Sequence, residues 1–212
     1  MDSRVKLLLF PCNGNTIEAL DCIDLAKYNV IGFIDDDKNK IGKKFHGVKV
    51  FDRSILIKEL NAKILAVPGS PTSYKNRDKI INKLNLSKKR FISIIHDSAH
   101  ISNYASVGFN CLIMEGVVIK ASSTIGDNVC ILPNSVIHHD SIIKDNTLIG
   151  SNVVIAGHTM IEKNCYIGSG SKIINNVSIG EGSLIGIGSN VIKSFPKKMN
   201  KLVGNPAVQI NN

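Results

Sequence analysis

The sequence has no tryptophan, and aromatic residues make up only 5% of its 212 positions. Its basic residues are scattered rather than interleaved with Phe or Tyr, so a stacking platform for single-stranded nucleic acid is not expected. No run of about 18 consecutive apolar residues occurs, and no membrane span is expected. The short apolar run within residues 1–10 has no small-residue cleavage site behind it, so neither is a secretion signal. Cysteine is sparse: Cys12, Cys22, Cys111, Cys130 and Cys165 include no CxxC pair. That argues against a disulfide framework or a zinc knuckle and makes a reducing cytoplasm the expected compartment. What is present is an ordinary globular composition, 43% hydrophobic and 20% charged. The length allows one domain or two small ones with a core that needs no staples. Twenty-six Lys and Arg against 17 Asp and Glu leave a net charge of +9. With a nucleic-acid platform disfavoured, a phosphate-bearing small molecule is the expected partner.

The second half is a repeat. Stepping by six from Ile95 meets Ile101, Val107, Ile113, Ile119, Ile125, Ile131, Ile137 and Ile143, then Ile149, Ile155, Ile161, Ile167, Ile173, Ile179, Ile185 and Val191. Not one position is missed. Four residues after each but the last lies a second series of small or β-branched residues, such as Val117, Ser135, Ser141, Val153 and Cys165. A period of six excludes an amphipathic helix at 3.6 and fits a short strand plus a corner. Three such units close a triangular coil of 18 residues, and about 5.7 coils at the parallel-strand spacing make a prism about 27 Å tall. Ser135 and Ile137 then point inward, and Val136 and His138 outward.

The first half reads as a small α/β unit. Strands are expected over residues 5–10, 30–34 and 63–67, with helices over 16–27 and 74–84 and Thr16 or Asn15 as the first cap. That order predicts a parallel sheet with crossover helices, whose ligands bind at the carboxyl ends of the strands. Three loops meet there: Asn13, Gly14 and Asn15; Asp35, Asp36 and Asp37; and Pro68, Gly69, Ser70 and Pro71. A single glycine between strand and helix is either a phosphate cradle or a tight turn. The acidic run, about 20 residues on, is placed to reach a ribose hydroxyl. The expected division is a nucleotide-binding α/β domain over residues 1–92, a β-helix over 93–196 and a tail over 197–212.

A short Rossmann-like domain with a Gly loop and an FIDDD strand end, followed by a hexapeptide prism ending in Val203-Gly204-Asn205-Pro206-Ala207, resembles a family of bacterial sugar acetyltransferases. Its members include sialic acid O-acetyltransferases and nucleotide-linked 4-amino-sugar N-acetyltransferases. The resemblance implies a left-handed parallel β-helix, a cytoplasmic homotrimer, and acetyl-CoA bound between subunits without a metal. It implies a nucleotide-linked amino sugar held by Asn13, Gly14, Asn15, Asp35, Asp36, Gly69, Ser70 and His138. The family's histidine followed by an acidic residue falls on His139 and Asp140, as general base and its partner. Gly157 matches an acetyl-CoA contact, and His158, Ser169, Ile187 and Lys201 are the further residues expected along the CoA path. Two departures stand out: Asn15 occupies a place where the family has histidine, and Leu148 replaces a second histidine nine residues after the base. Sialic acid O-transfer and a non-catalytic trimeric scaffold use the same parts and remain alternatives.

Coil arithmetic supports the histidine independently. Neighbours one coil from His139 are Ala121 and Gly157, tiny residues that leave room for a substrate, while Asp140 stands one coil from His158. Cys111 and Cys165 fall on inward positions, where a thiol is packing rather than a nucleophile.

Overall fold

A computed structural model describes residues 3–210. β1 (Val5–Phe10) is apolar along most of its length because both faces are covered. Leu7 and Leu9 enter one cluster, Leu8 and Phe10 the other. β1 pairs in parallel with β2 (Tyr28–Ile34) on one side and β5 (Lys63–Ala66) on the other. Between them in sequence lies an antiparallel hairpin, β3 (Lys44–Phe45) and β4 (Val48–Phe51), giving the order β3-β4-β2-β1-β5. The hairpin and the short helix α2 (Ile55–Lys58) are additions to the expected elements.

Both expected helices are shorter than their sequence pattern. α1 runs only over Gly14–Glu18, tightens to a 3-10 turn over Ala19–Cys22 and stops. The stop is chemical: the Asp24 carboxylate accepts from the Ala26 N–H at 2.8 Å and the Asp24 carbonyl from Lys27 and Tyr28, folding the chain straight into β2. The cap is Asn13, in a reciprocal box with Thr16, not Asn15 or Thr16 alone. The second helix is a 3-10 turn, Tyr74–Asn76, leading into α3 (Arg77–Asn82).

From Ile94–Ile95 to Asn190–Val191 the chain forms the expected parallel β-helix of two-residue strands. Val118 pairs with Val136 and Val136 with Val154, one coil apart, and three sheets make three faces. Isoleucines from Ile113 to Ile185 fill the axis, and Ile95, in the first coil of the prism, is 41% exposed. The small series carries hydroxyls that are buried yet satisfied: Ser135 Oγ donates to the Gly150 carbonyl at 2.8 Å and Ser141 Oγ to Ala156 at 3.0 Å.

Within the stretch expected as a tail, residues 201–209 are folded onto the prism. Leu202 continues the axial column beside Ile185 and is fully buried, and Lys201–Gly204 pairs with Leu184–Ile185 before turning back through Ala207–Gln209. A strand that completes an apolar column cannot trail in water.

The α/β unit docks on a single face of the prism. Leu112, Cys130 and Leu148 point outward from that face into the cluster of Leu7, Leu9 and Phe33. Asn110 adds a strand-like clasp, its Oδ1 accepting from Ala66 N–H at 2.7 Å and its Nδ2 donating to the Ala66 carbonyl at 2.9 Å. From Asn110 a ladder of side-chain amides continues through Asn128 to Asn146. Arg77, fully buried, donates to the carbonyls of Pro68 and, at 2.7 Å, of Asn128, tying a loop of the α/β unit to the prism.

Candidate active site

Each corner of the prism turns through a left-handed residue, which favours Asn or Gly. From residue 110 every sixth residue has positive φ: Asn110, Gly116, Asn128, Asn134, Asn146, Asn152, Asn164, Gly170, Asn176, Gly182 and Gly188 obey the preference. Only Ser122, Asp140 and His158 break it, with φ of 59°, 58° and 55°. These three are one coil apart and so stack on one edge. Left-handed backbone costs a non-glycine residue about 1–2 kcal/mol, least for Asn and Asp. Replacing His158 by asparagine is therefore expected to raise stability by about 1 kcal/mol, or a Tm gain of about 2–4 °C, in thermal unfolding. An unchanged or lower Tm would deny that the imidazole is held at a backbone cost.

On this edge the sequence-predicted pair is assembled. His139 Nδ1 lies 2.7 Å from Asp140 Oδ2, and its Nε2 makes no hydrogen bond among the described residues. His158 stands edge-on to His139, with ring centroids 5.2 Å apart and its Nε2 3.9 Å from the same carboxylate oxygen. All three side chains are roughly half exposed. Gly157 makes this possible, because a Cβ there would lie 2.7 Å from His139 Cε1 and 2.9 Å from Nε2. His138 is half-buried on the adjoining face, outward as predicted.

The predicted acceptor residues also converge. Asn13, Gly14, Asn15, Asp35, Asp36, Gly69 and Ser70 line one cleft of about 600 Å³ at the carboxyl ends of β1, β2 and β5. Their tasks differ from expectation. Asp35 is buried and spoken for: Oδ2 accepts from Cys12 N–H and Lys40 Nζ, each at 3.0 Å, and Oδ1 from Asp37 N–H at 2.9 Å. It ties the glycine loop to the strand end. Asp36 is exposed and held by Arg53 through two contacts of 2.6 and 2.7 Å. Asn15 Nδ2 reaches the carbonyls of Val67 and Gly69 at 3.4 Å, bracing the two loops against each other. Gly14 opens on free space, and the first N–H groups of α1 have no intrahelical partner. Lys40, Arg53, Arg77 and Asn110 were not foreseen; the corner rule would have pointed to Asn110.

The remaining expected residues do not gather on one chain. Ser169 and Ile187 lie on the edge after the docking face, whereas Gly157 and His158 lie on the next edge, across the face that carries Val118, Val136 and Val154. Lys201 sits in the sheet of the docking face. Of the basic residues near the end, Lys198 pairs with Glu181 at 2.7 Å, which holds the carboxyl below and the ammonium above their ordinary ranges. Burial pushes the thiols of Cys111 and Cys165 up to about 12 and that of Cys130 up to about 11, so none is poised as a nucleophile.

Residues 104–139 and 122–157 match the bacterial transferase hexapeptide model, six repeats. Residues 104–157 therefore carry the bacterial transferase hexapeptide repeat. A comparison with curated proteins gives no match. Among solved structures, PerB from Caulobacter crescentus in complex with CoA and GDP-perosamine is 22% identical, with a TM-score of 0.86 over 99% of this chain and 98% of that one. The acetyltransferase domain of PglB from Neisseria gonorrhoeae FA1090 in complex with acetyl coenzyme A is 22% identical, with a TM-score of 0.84 over 98% and 100%. WeeI from Acinetobacter baumannii AYE is 19% identical, with a TM-score of 0.82 over 98% and 100%. These similarities establish the fold, an α/β unit followed by a hexapeptide β-helix, across nearly the whole chain.

Proposed function

We propose that the protein is an acetyl-CoA-dependent N-acetyltransferase acting on the 4-amino group of a nucleotide-linked 4-amino-4,6-dideoxyhexose, in the making of a surface polysaccharide or glycan. The observation that carries this reading is the His139–Asp140 pair, 2.7 Å apart over Gly157 on a hexapeptide prism, in a chain that also holds an open nucleotide-sized cleft. The solved relatives support donor and acceptor class through what their crystals contain: CoA with GDP-perosamine in one, acetyl coenzyme A in another.

Acetyl transfer needs a base for the amine proton, donors for the oxyanion and an exit for the thiol. In the proposed reaction the sugar nitrogen attacks the thioester carbonyl while His139 Nε2 accepts its proton. Asp140 holds Nδ1–H, fixing the tautomer and stabilising the imidazolium. The N–H of Gly157 donates to the oxyanion. The C–S bond then breaks, and the proton on His139 passes to the CoA sulfur. No acyl-enzyme forms. In the α/β cleft the diphosphate faces Gly14 and the N–H groups that open α1, and Asp36 is the carboxylate within reach of a ribose hydroxyl.

The site belongs to a homotrimer in the cytoplasm. The α/β unit covers one face of the prism, and the His139 edge is the edge opposite that face. A neighbouring copy that packs on the half-buried valine face brings its own edge and cleft to this one's histidine, which also reunites the two edges of the expected CoA path.

The reading is tested by incubating the protein with acetyl-CoA and UDP-, dTDP- and GDP-linked 4-amino-4,6-dideoxyhexoses, with free sialic acid as the contrasting acceptor. Thiol release and a gain of one acetyl mass on a nucleotide-linked amine support it. Acetylation of sialic acid alone makes the protein an O-acetyltransferase, and no turnover with any acceptor favours the scaffold. With the acceptor in hand, Gly157→Ala is expected to cut kcat about 10²-fold, because the added methyl evicts the His139 ring from its seat. Wild-type kcat in a folded Gly157→Ala protein would place the base elsewhere.

A further inference from the structure

Asp140 stands between two imidazoles. His139 Nδ1 is 2.7 Å and His158 Nε2 is 3.9 Å from the same oxygen, Oδ2. One ligand atom from each of the three residues lies within 4.8 Å of the others. Two imidazoles and one carboxylate form a donor set for zinc, with an open fourth position when only three protein ligands are present. Zinc–nitrogen and zinc–oxygen bonds of about 2.0–2.2 Å put neighbouring tetrahedral ligands about 3.3 Å apart. The two separations to Asp140 Oδ2, 2.7 and 3.9 Å, lie either side of that value, and side-chain rotation brings the two imidazole nitrogens to it. A second observation points the same way. Asp140 and His158 occupy left-handed corners at φ 58° and 55°, where most other turns of the prism carry Asn or Gly. The His158 side chain is kept where the backbone would favour asparagine or glycine.

We propose that His139, Asp140 and His158 bind a zinc ion that switches the site off. Zinc takes Nδ1 of His139, the nitrogen that otherwise donates to Asp140. The ring's one proton moves through water to Nε2, with no net proton released. Nε2 is then a donor and cannot accept the proton of an incoming amine. The ion is an inhibitor here, not a cofactor. Its inhibitory effect rests on the acetyltransferase reading; its binding does not.

The test titrates tag-free protein, free of CoA, with Co2+ as a spectroscopic stand-in for zinc. Wild type is expected to bind one Co2+ per chain with the strong visible absorption of a low-coordinate ion, and to release it to Zn2+. His158→Asn and Asp140→Asn should each weaken binding by at least about 10- to 100-fold, the loss that removing even an outer-shell partner of a ligand brings. Asparagine suits both corners, so loss of binding there is not loss of fold; circular dichroism checks this. No binding by wild type, or equal binding by both variants, overturns the site. In the second arm, Zn2+ should lower acetyl transfer, read by product mass, at least about tenfold, with recovery on EDTA. The residual activity of His158→Asn should be insensitive to the metal. Binding without inhibition overturns the switch. Because the titration needs no turnover, an inactive protein that still binds Co2+ through these residues supports the metal site while refuting the acetyltransferase reading.

Discussion

Replacing His139 by alanine is expected to lower kcat for acetyl transfer by about 10²- to 10⁴-fold, the usual worth of a positioned general base. The side chain is 56% exposed and its one hydrogen bond is to Asp140, so the prism should fold unchanged. KM for the acceptor should move little, because the nucleotide cleft is built from other loops. Asp140→Asn should cost less, since asparagine suits a left-handed corner and can still accept from Nδ1–H, while losing the charge that steadies the imidazolium. Steady-state kinetics on the two variants settle the order. If His139→Ala keeps wild-type kcat, the edge is decoration and the base must be sought elsewhere.

The second large effect is complementation. His139→Ala removes the base and leaves the cleft intact. Gly14→Asp leaves the base intact and places a carboxylate where the diphosphate is expected; the position opens on free space, so the fold tolerates it. Each homotrimer alone should be nearly inactive. Co-expressed, they should recover about one quarter of wild-type activity, because a site made from one copy's histidine and the next copy's cleft is intact in one random pairing out of four. If each chain completed its own site, every site would carry one lesion and the mixture would stay dead. The contrast is close to all or none.

Some of this was legible in the sequence. The six-residue step fixes strands, faces and axis together, because any slip would carry isoleucines from core to solvent. The same arithmetic put Gly157 under His139 and His158 beside Asp140. Where the reading fell short, local chemistry was overlooked. Lys44-Phe45-His46-Gly47-Val48 is a hairpin signal: the turn needs positive φ at both His46 and Gly47, and they adopt 50° and 80°. The end of α1 lies in the Asp24 side chain rather than in any apolar period. Spacing placed Asp35 at the cleft but cannot reveal that Cys12 N–H and Lys40 also hold its carboxylate. The edge of Ser122, Asp140 and His158 was legible in principle, as the only three departures from an Asn and Gly rule between residues 110 and 188.

Because consecutive coils match residue for residue, the prism also constrains how such a chain can change length. Losing six residues between Asn128 and Asp140 would carry His139 from its present edge onto another edge of the triangle, beside the docked α/β unit. Losing 18 would keep every later side chain on its own edge and only lower the storey on which the histidines stand. Gains and losses of sequence in this half are therefore quantised. Whole coils, or loops bulging from a corner, preserve the chemistry, while any other step rotates the catalytic edge relative to everything before it.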